Sequence, residues 1–364
     1  MVPFCLTDFG NPAAVNHQWG YRARDAVEEA RKAILQAIDA PAGTRLVFTS
    51  GATESCNLAI LGSSAIVGGG AASVITQATE HRCVLAAIEA VGDRGIQRCI
   101  LPVENSGRLD PRSVRDSLAS STVLVSVMAV NNEIGTIQPI CEIAGAVREH
   151  SSALLHVDAS QTIGKVPFSM SATGADLVSF SAHKIYGPKG MGALAVGPRA
   201  EGRIRPLLYG GPQEFGLRPG TLNVPGIIGF ARAIELAVGC LEESRRVVEK
   251  LRQRFLVRLQ RSGLRFTVHG HATERVPGIV SVALSGVSIA DLMAALPDVA
   301  MSSGSACESS ENQPSHVLLA IGLTVEAARS TARISFGHTT PSRQLERAAD
   351  LIVAAASALQ RGNA

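Results

Sequence analysis

Residues 179–190 read SFSAHKIYGPKG, which puts one lysine directly behind an apolar segment. Residues 177–180 are typical of a buried strand, and Gly187-Pro188 breaks the chain soon after it. A lysine shielded from water loses basicity, and its neutral amine is a nucleophile that forms a Schiff base with a carbonyl group. Taken alone, Lys184 is more often a solvated lysine in a surface turn, so its meaning depends on the rest of the chain.

Apolar segments and helical patterns alternate around that stretch. The apolar segments are at 46–48, 74–76, 99–101, 123–128 and 154–157. The helical patterns are at 21–38, 54–61, 81–91, 111–118 and 140–150. Such alternation predicts an α/β fold with a mainly parallel sheet flanked by helices. Functional residues of this kind of sheet lie at the carboxyl ends of the strands.

The later part of the chain has a different pattern. From Gly226 to about Arg261 it predicts one long helix or two, which lead to a smaller α+β layer. The elements of that layer are strands at 266–268, 279–284 and near Ile334, and a closing helix from Ser342. We therefore predict a large domain over residues 1–238, whose extreme N-terminus could join the second domain, and a small domain over 239–364.

Composition excludes several classes of protein. A net charge of +3 without a block of Lys or Arg argues against a nucleic-acid surface. The seven cysteines are scattered and form no C-x-x-C motif, which excludes a zinc ribbon and favours free thiols in the cytoplasm. The first residues lack the features of a signal peptide. The uncharged run 55–79 contains Gly68–Gly70, so we expect a loop and a strand there and no membrane span.

Polar residues follow several of the predicted strands. Residues 49–55 read TSGATES, and small residues at a helix N-terminus suit either an anion site or an ordinary N-cap. Asp158 ends a strand, where its charge needs a partner. An aldehyde-binding Lys184, a carboxylate at Asp158 and an anion loop at 51–53 jointly fit pyridoxal 5′-phosphate (PLP).

Seven motifs in order give the chain a family resemblance. They are TSGATES (49–55), TEH (79–81), NNEIG (131–135), HVDASQ (156–161), SFSAHKIYGPKG (179–190), GLRPGT (216–221) and SSGSAC (302–307). The chain resembles the class V aminotransferase superfamily and, within it, the group I cysteine desulfurases of the nitrogenase and iron–sulfur-assembly type. The resemblance implies the PLP-dependent transferase fold type I, with a seven-stranded sheet in the large domain. It also implies desulfuration of L-cysteine to L-alanine.

The resemblance also implies roles for single residues. Lys184 would hold the PLP, His81 would stack on its ring and exchange protons with the substrate, and Asp158 would pair with the pyridine nitrogen. Gln161 would bind the phenolate oxygen, with Asn132 near it or near the substrate. The implied phosphate ligands are Ala52, Thr53, Ser181 and His183. Thr221 would reach the phosphate of a neighbouring subunit in a homodimer. Arg333 would clamp the substrate carboxylate, and Asn11 would also line the substrate site.

Cys307 stands among serines and a glycine, which predicts a mobile polar loop. An ionised thiol is a nucleophile, and the resemblance makes Cys307 the residue that takes sulfur as a persulfide and delivers it to an acceptor protein. Iron–sulfur clusters, tRNA thiolation, DNA-backbone sulfur modification and metabolites are all open as destinations.

Three departures from the family pattern keep other functions open. Only Met1–Asp8 precede the Phe9–Pro12 motif, residues 210–216 read GGPQEFG, and Gly337-His338 stand where the family has Gly-Arg. The short start favours a weakened homologue that acts as a scaffold or sulfur-relay partner. A selenocysteine lyase or an aminotransferase is a further alternative, although transamination needs no thiol at Cys307.

Overall fold

The computed structural model describes residues 1–65, 72–304 and 314–362. The chain divides into two compact units. The larger consists of Met1–Leu101, Asp110–Ala129 and Pro139–Leu241, and the smaller of Pro102–Leu109, Val130–Gln138 and Glu242–Ala364.

The smaller unit thus includes two segments that the sequence prediction placed in the large domain, 102–109 and 130–138. Backbone contacts explain the difference for the second of them. Thr136 forms an antiparallel bridge with Arg275, and the Ile137 N–H donates to the Glu274 carbonyl at 2.9 Å. Contacts between residues so far apart in sequence leave no local pattern.

A seven-stranded sheet forms the centre of the larger unit, in the order β1-β7-β6-β5-β4-β2-β3. The strands are β1 (Arg45–Thr49), β2 (Ser73–Gln77), β3 (Gln97–Leu101), β4 (Thr122–Met128), β5 (Leu154–Asp158), β6 (Leu177–Ser181) and β7 (Gly192–Val196). All neighbours from β6 through β3 pair in parallel, whereas β7 runs antiparallel to both β6 and β1. The predicted mainly parallel seven-stranded sheet is confirmed.

Helices surround this sheet, as predicted. They are α1 (Val2–Leu6), α2 (Gln18–Ala37), α3 (Ala52–Ser64), α4 (Arg82–Asp93), α5 (Pro111–Ser117), α6 (Ile140–His150), α7 (Met170–Thr173) and α8 (Val224–Gly239). In α4 the buried residues are Val84, Ala87, Ile88 and Val91. This spacing of three and four residues puts them on one helical face, which packs into the core.

The smaller unit has a three-stranded antiparallel sheet in the order β10-β9-β8. Its strands are β8 (Phe266–His269), β9 (Ile279–Leu284) and β10 (Thr331–Ser335). Its helices are α9 (Leu241–Arg261), α10 (Ile289–Ala295), α11 (His316–Ala320), α12 (Val325–Arg329) and α13 (Ser342–Gly362). Phe255 of α9, Val280 of β9 and Ile352 of α13 belong to one buried cluster, which forms the core of this α+β unit.

The stretch from Gly226 to Arg261 contains two helices, since α8 ends at Gly239 and α9 begins at Leu241. In the part of the chain that the structure describes, no single helix is long and apolar enough to cross a membrane. Only this bent pair, with its two helices taken together, passes the same test of length and composition.

Candidate active site

Lys184 follows β6 immediately. Every residue of β6 is buried, and one turn of 3₁₀ helix, Ala182–Ile185, comes directly after it. The turn ends at Tyr186, whose φ of +63° lies in the left-handed region. Ala182 and Ile185 are buried, whereas Lys184 is exposed, in contrast to the shielded amine that the sequence suggests.

Asp158 is the last residue of β5 and is 5% exposed. Its Oδ1 accepts hydrogen bonds from the backbone N–H of Ser160 at 2.9 Å and from the Ser160 hydroxyl at 2.5 Å. In the sheet it lies in register between Met128 of β4 and Ser179 of β6. The carboxyl ends of these three strands therefore meet at one edge of the sheet, where Lys184 also follows β6.

His81 is the N-cap of α4. Its Nδ1 accepts from the Cys83 N–H at 3.2 Å and lies 3.0 Å from the Cys83 sulfur. The hydrogen bond with Cys83 raises the pKa of His81 against the effect of its burial, and the charge of Asp158 adds to the rise while that of Lys184 opposes it. Asp158 and Lys184 thus both act electrostatically on His81, although the three residues are far apart in sequence.

A pair of thiols lies behind His81, and sequence reasoning missed it. Cys56 of α3 is fully buried and interacts with Cys83 at the start of α4. The hydrogen bond from Cys56, aided by that with His81, lowers the pKa of Cys83 to about 6. The same bond raises the pKa of Cys56 well above its ordinary value, so the charge of the pair belongs on Cys83.

We expect iodoacetamide to alkylate Cys83 already at acidic pH, with the midpoint of the rate at a pH of about 6, because the thiolate is the reactive form and Cys83 is partly exposed. The alkylation rate of this residue, followed by peptide mass spectrometry, should rise from pH 5 to pH 7 and then level off. The variant Cys56→Ala removes the donor and should move that midpoint upward. A rate that still rises steeply above pH 8 would contradict this assignment.

His156 lies beneath Asp158 on the same strand and is a second polar group that the sequence analysis did not single out. Its Nδ1 is 2.8 Å from the Ser126 hydroxyl on β4, and its Nε2 is 2.8 Å from the Ser179 hydroxyl on β6. Burial lowers the pKa of His156 to about 4, so the ring is neutral at neutral pH. The ring of His156 therefore joins β5 to both of its neighbours, β4 and β6, just before the ends of β5 and β6, where Asp158 and Lys184 lie.

The predicted phosphate residues lie at the N-terminus of α3 and the end of β6. Gly51 is the N-cap of α3 and has no side chain with which to cap Ala52 and Thr53. A Cβ built on Gly51 would lie 3.9 Å from the Ser181 hydroxyl, which is itself 2.7 Å from His183 Nδ1. An uncapped helix N-terminus next to hydroxyl and imidazole groups is suited to an anion.

Gln161 lies in the turn after β5, and sequence reasoning missed its partner. Lys165 Nζ donates a hydrogen bond to Gln161 Oε1. Burial, together with the charge of Lys184, lowers the pKa of Lys165 to about 7. The turn after β5 therefore brings Gln161 and Lys165 close to Lys184 in the larger unit.

Two further predicted residues of the larger unit are exposed. Asn11 Oδ1 accepts from the Ala13 N–H at 3.0 Å, so this side chain closes a local turn. Thr221 lies in the loop before α8.

Arg333 and Asn132 belong to the smaller unit. Arg333 is half-buried on β10, and its Nη1 donates to the Asn132 carbonyl at 3.2 Å. The backbone of Arg333 also exchanges two hydrogen bonds with Ser302, at 2.7 and 3.2 Å. The structure therefore brings together Asn132, Arg333 and the segment that begins at Ser302.

Cys307 lies outside the described residues. Described residues on both sides of it form hydrogen bonds with residues that lie next to Asn132. Ser302 pairs with Arg333, as above, and Ser315 donates its hydroxyl to Glu133, the residue after Asn132. The chain therefore enters and leaves the segment that carries Cys307 beside two predicted substrate residues.

The side chains of the larger unit fit PLP. An amine, a buried carboxylate and an imidazole suit the aldehyde, the pyridine nitrogen and the ring, and the uncapped start of α3 suits the phosphate. Both hydrogen bonds that Ser160 donates to Asp158 reach Oδ1, and a carboxylate can accept further hydrogen bonds, such as one from a pyridinium N–H.

Comparisons with known proteins identify a matching family, similar sequences and similar structures. Residues 1–348 match the family Aminotransferase class-V. A cysteine desulfurase IscS of Anaeromyxobacter sp. (strain Fw109-5) is 42% identical over 355 residues, which cover 97% of this chain and 87% of the relative. A NifS-like protein of known structure superimposes with a TM-score of 0.89 at 33% identity, covering 97% of this chain and 93% of its own. A structure of SspA in complex with cysteine has a TM-score of 0.79 at 32% identity, with 92% of each chain covered.

Proposed function

This chain belongs to the class V aminotransferase family and is a cysteine desulfurase that depends on PLP, and we propose that Lys184 and Cys307 carry its reaction. The observation that supports the residue assignment most is the meeting of Asp158, His81 and Lys184 at the carboxyl edge of the parallel strands. The substrate is L-cysteine and the products are L-alanine and a persulfide on Cys307, from which a sulfur-acceptor protein is supplied.

The residues that would bind and orient the cofactor belong to the larger unit. Lys184 would hold PLP covalently, and Asp158 would keep a proton on the pyridine nitrogen. His81 would lie against the ring, and Gln161 would donate to the phenolate oxygen. The phosphate would be held by Ala52, Thr53, Ser181 and His183. When bound, PLP stabilises negative charge at the substrate Cα.

The protein's own groups then move the protons and the sulfur. The amine of Lys184 would take the Cα proton when it is not bonded to the cofactor, and His81 is a second group able to exchange protons near the substrate. The Cys307 thiolate attacks the substrate sulfur, so that an S–S bond forms while the Cβ–S bond breaks. The electron pair of the broken bond stays with the carbon fragment, which takes up protons and leaves as alanine.

Substrate recognition is proposed for Arg333, Asn132 and Asn11. The guanidinium of Arg333 matches a carboxylate in a bidentate manner, and its hydrogen bond to the Asn132 carbonyl already orients it. Binding of cysteine by the SspA relative supports an amino-acid substrate of this kind.

Replacing Arg333 by lysine is expected to raise the KM for L-cysteine by roughly 10- to 100-fold with a much smaller change in kcat, because a single ammonium cannot form the bidentate pair. Steady-state alanine production measures both constants. The exposed Arg329, on the last turn of α12, provides the matched control Arg329→Lys, which should leave KM unchanged. An unaltered KM in Arg333→Lys would remove the residue from the substrate site.

We further propose that the protein works in the cytoplasm as a homodimer, with Thr221 contributing to the phosphate site of the neighbouring subunit. Large apolar side chains on the larger unit are exposed in the single chain, among them Phe9 at 74% and Tyr209 at 89%. We take these side chains as candidates for the contact surface between the subunits. Analytical ultracentrifugation at micromolar concentration tests this assembly, and a monomer under those conditions would contradict it.

Incubation of the purified protein with L-cysteine separates the possible activities. A desulfurase releases sulfide in the presence of a reductant together with an equal amount of alanine. Formation of 3-mercaptopyruvate without sulfide would indicate transamination, since transamination replaces the amino group and keeps the sulfur. Bound cofactor without sulfide would indicate a scaffold or relay partner.

A further inference from the structure

Lys165 is a lysine of the larger unit to which the family resemblance assigns no role. It lies four residues after Gln161 in the turn that follows β5. That turn is tied by backbone hydrogen bonds from Ile163 to Ala159, at 3.3 Å, and from Val166 to Thr162, at 3.0 Å. Because these bonds fix the backbone, the Lys165–Gln161 contact joins two side chains whose attachment points are set by the fold.

The contact determines which way the Gln161 carboxamide faces. Lys165 Nζ donates to Oε1 of Gln161, and in its ammonium form it could not lie against the amide nitrogen in the same way, because it has no lone pair to accept from that donor. Because its oxygen accepts from Lys165, the carboxamide directs its NH₂ group away from Lys165. A phenolate oxygen is a hydrogen-bond acceptor, so the NH₂ group is a suitable donor for it.

The turn of Lys165 lies against the turn of Lys184. Gly164 has a φ of +73°, and a Cβ built on it would lie 3.2 Å from Ile185 Cγ2 and 2.7 Å from Ala237 Cβ. Three lysines act on His183 here: after the effect of its burial, the charges of Lys184, Lys189 and Lys165 each lower its pKa. An anion placed here would be stabilised by several amines.

We propose that Lys165 is a positioning residue for the cofactor, which fixes the Gln161 carboxamide with its NH₂ toward the phenolate oxygen and adds positive charge on that side. The inference rests on the proposed function, since it requires PLP on Lys184. Lys165 is half-buried, and its amine is only partly charged near neutral pH without an anion beside it, since burial and Lys184 lower its pKa to about 7. A phenolate would favour its charged form.

The test is the pH dependence of the absorbance of bound PLP. The absorbance of bound PLP changes with the proton at its linkage to Lys184. Lys165→Met removes a donor and a positive charge on the phenolate side, and both losses favour retention of that proton. The pH midpoint of the absorbance change should therefore rise by about one unit. Lys165→Arg keeps both the donor and the charge and should restore most of the wild-type midpoint. Exposed Lys189→Met removes one of the charges that act on His183 without touching Gln161, so it should shift the midpoint by less than half as much.

Gln161→Met provides a second route to the same result, in case Lys165→Met does not fold. It should raise the midpoint in the same direction, and Lys165→Met added to it should have a smaller effect than in the wild type. Equal shifts in Lys165→Met and Lys189→Met, no rescue by arginine, or full additivity with Gln161→Met would each overturn the inference. A wild-type protein that binds no PLP would instead refute the proposed function.

Discussion

Replacing Cys307 by serine is expected to abolish sulfide release from L-cysteine, with a loss of at least about 10³-fold, while the absorbance of bound PLP stays unchanged. A thiol with a reference pKa of about 8.5 supplies some thiolate near neutral pH, whereas a serine hydroxyl supplies essentially no anion. The hydroxyl also cannot form the S–S bond through which sulfur would leave the substrate. Sulfide and alanine should be assayed together with the absorbance spectrum.

Cys240 offers a matched control for this substitution, because it is an exposed thiol that lies outside the proposed site. Cys240→Ser should release sulfide at the wild-type rate. Persistent sulfide release by Cys307→Ser would remove Cys307 from the reaction and would direct attention to another thiol, first of all to the acidic Cys83.

Replacing Lys184 by arginine is expected to lower turnover by at least about 10³-fold, because the reaction loses both its covalent attachment and its proton acceptor. Arginine keeps the positive charge but remains protonated in proteins, so it can neither bond to an aldehyde nor take the Cα proton. The same variant should lose the visible absorbance of the wild-type protein. Alanine production and the absorbance spectrum measure the two losses separately.

Lys189→Arg is the control, since Lys189 is an exposed lysine of the same turn. It should keep both the absorbance and the activity. A Lys184→Arg protein that still turns over L-cysteine at a normal rate would contradict the proposed role of Lys184.

Much of the larger unit could be predicted because its strands are short apolar runs separated by helices with clear periodicity. The order of residues also places Asp158 and Lys184 at neighbouring strand ends, and the structure confirms that β5 and β6 pair in parallel. Strand β7 was not predicted from that pattern. Its sequence, GALAV, has only one β-branched residue, and it becomes a strand by pairing on both sides with β6 and β1.

The supporting groups of the site were harder to foresee. His156 reads as one more residue of an apolar strand, and its role depends on Ser126 and Ser179 from two other strands. Cys56 and Cys83 belong to different helices that meet only in the folded chain. Lys165 is the exception, because its spacing of four residues from Gln161 could have suggested a contact within one turn.

Borohydride reduction followed by peptide mass spectrometry tests the central claim most directly. If Lys184 carries PLP, reduction bleaches the protein and leaves the mass of the reduced cofactor on the peptide that contains Lys184, while the peptide with Lys165 stays unmodified. A colourless protein whose Lys184 peptide has no added mass after incubation with PLP and reduction would contradict the account.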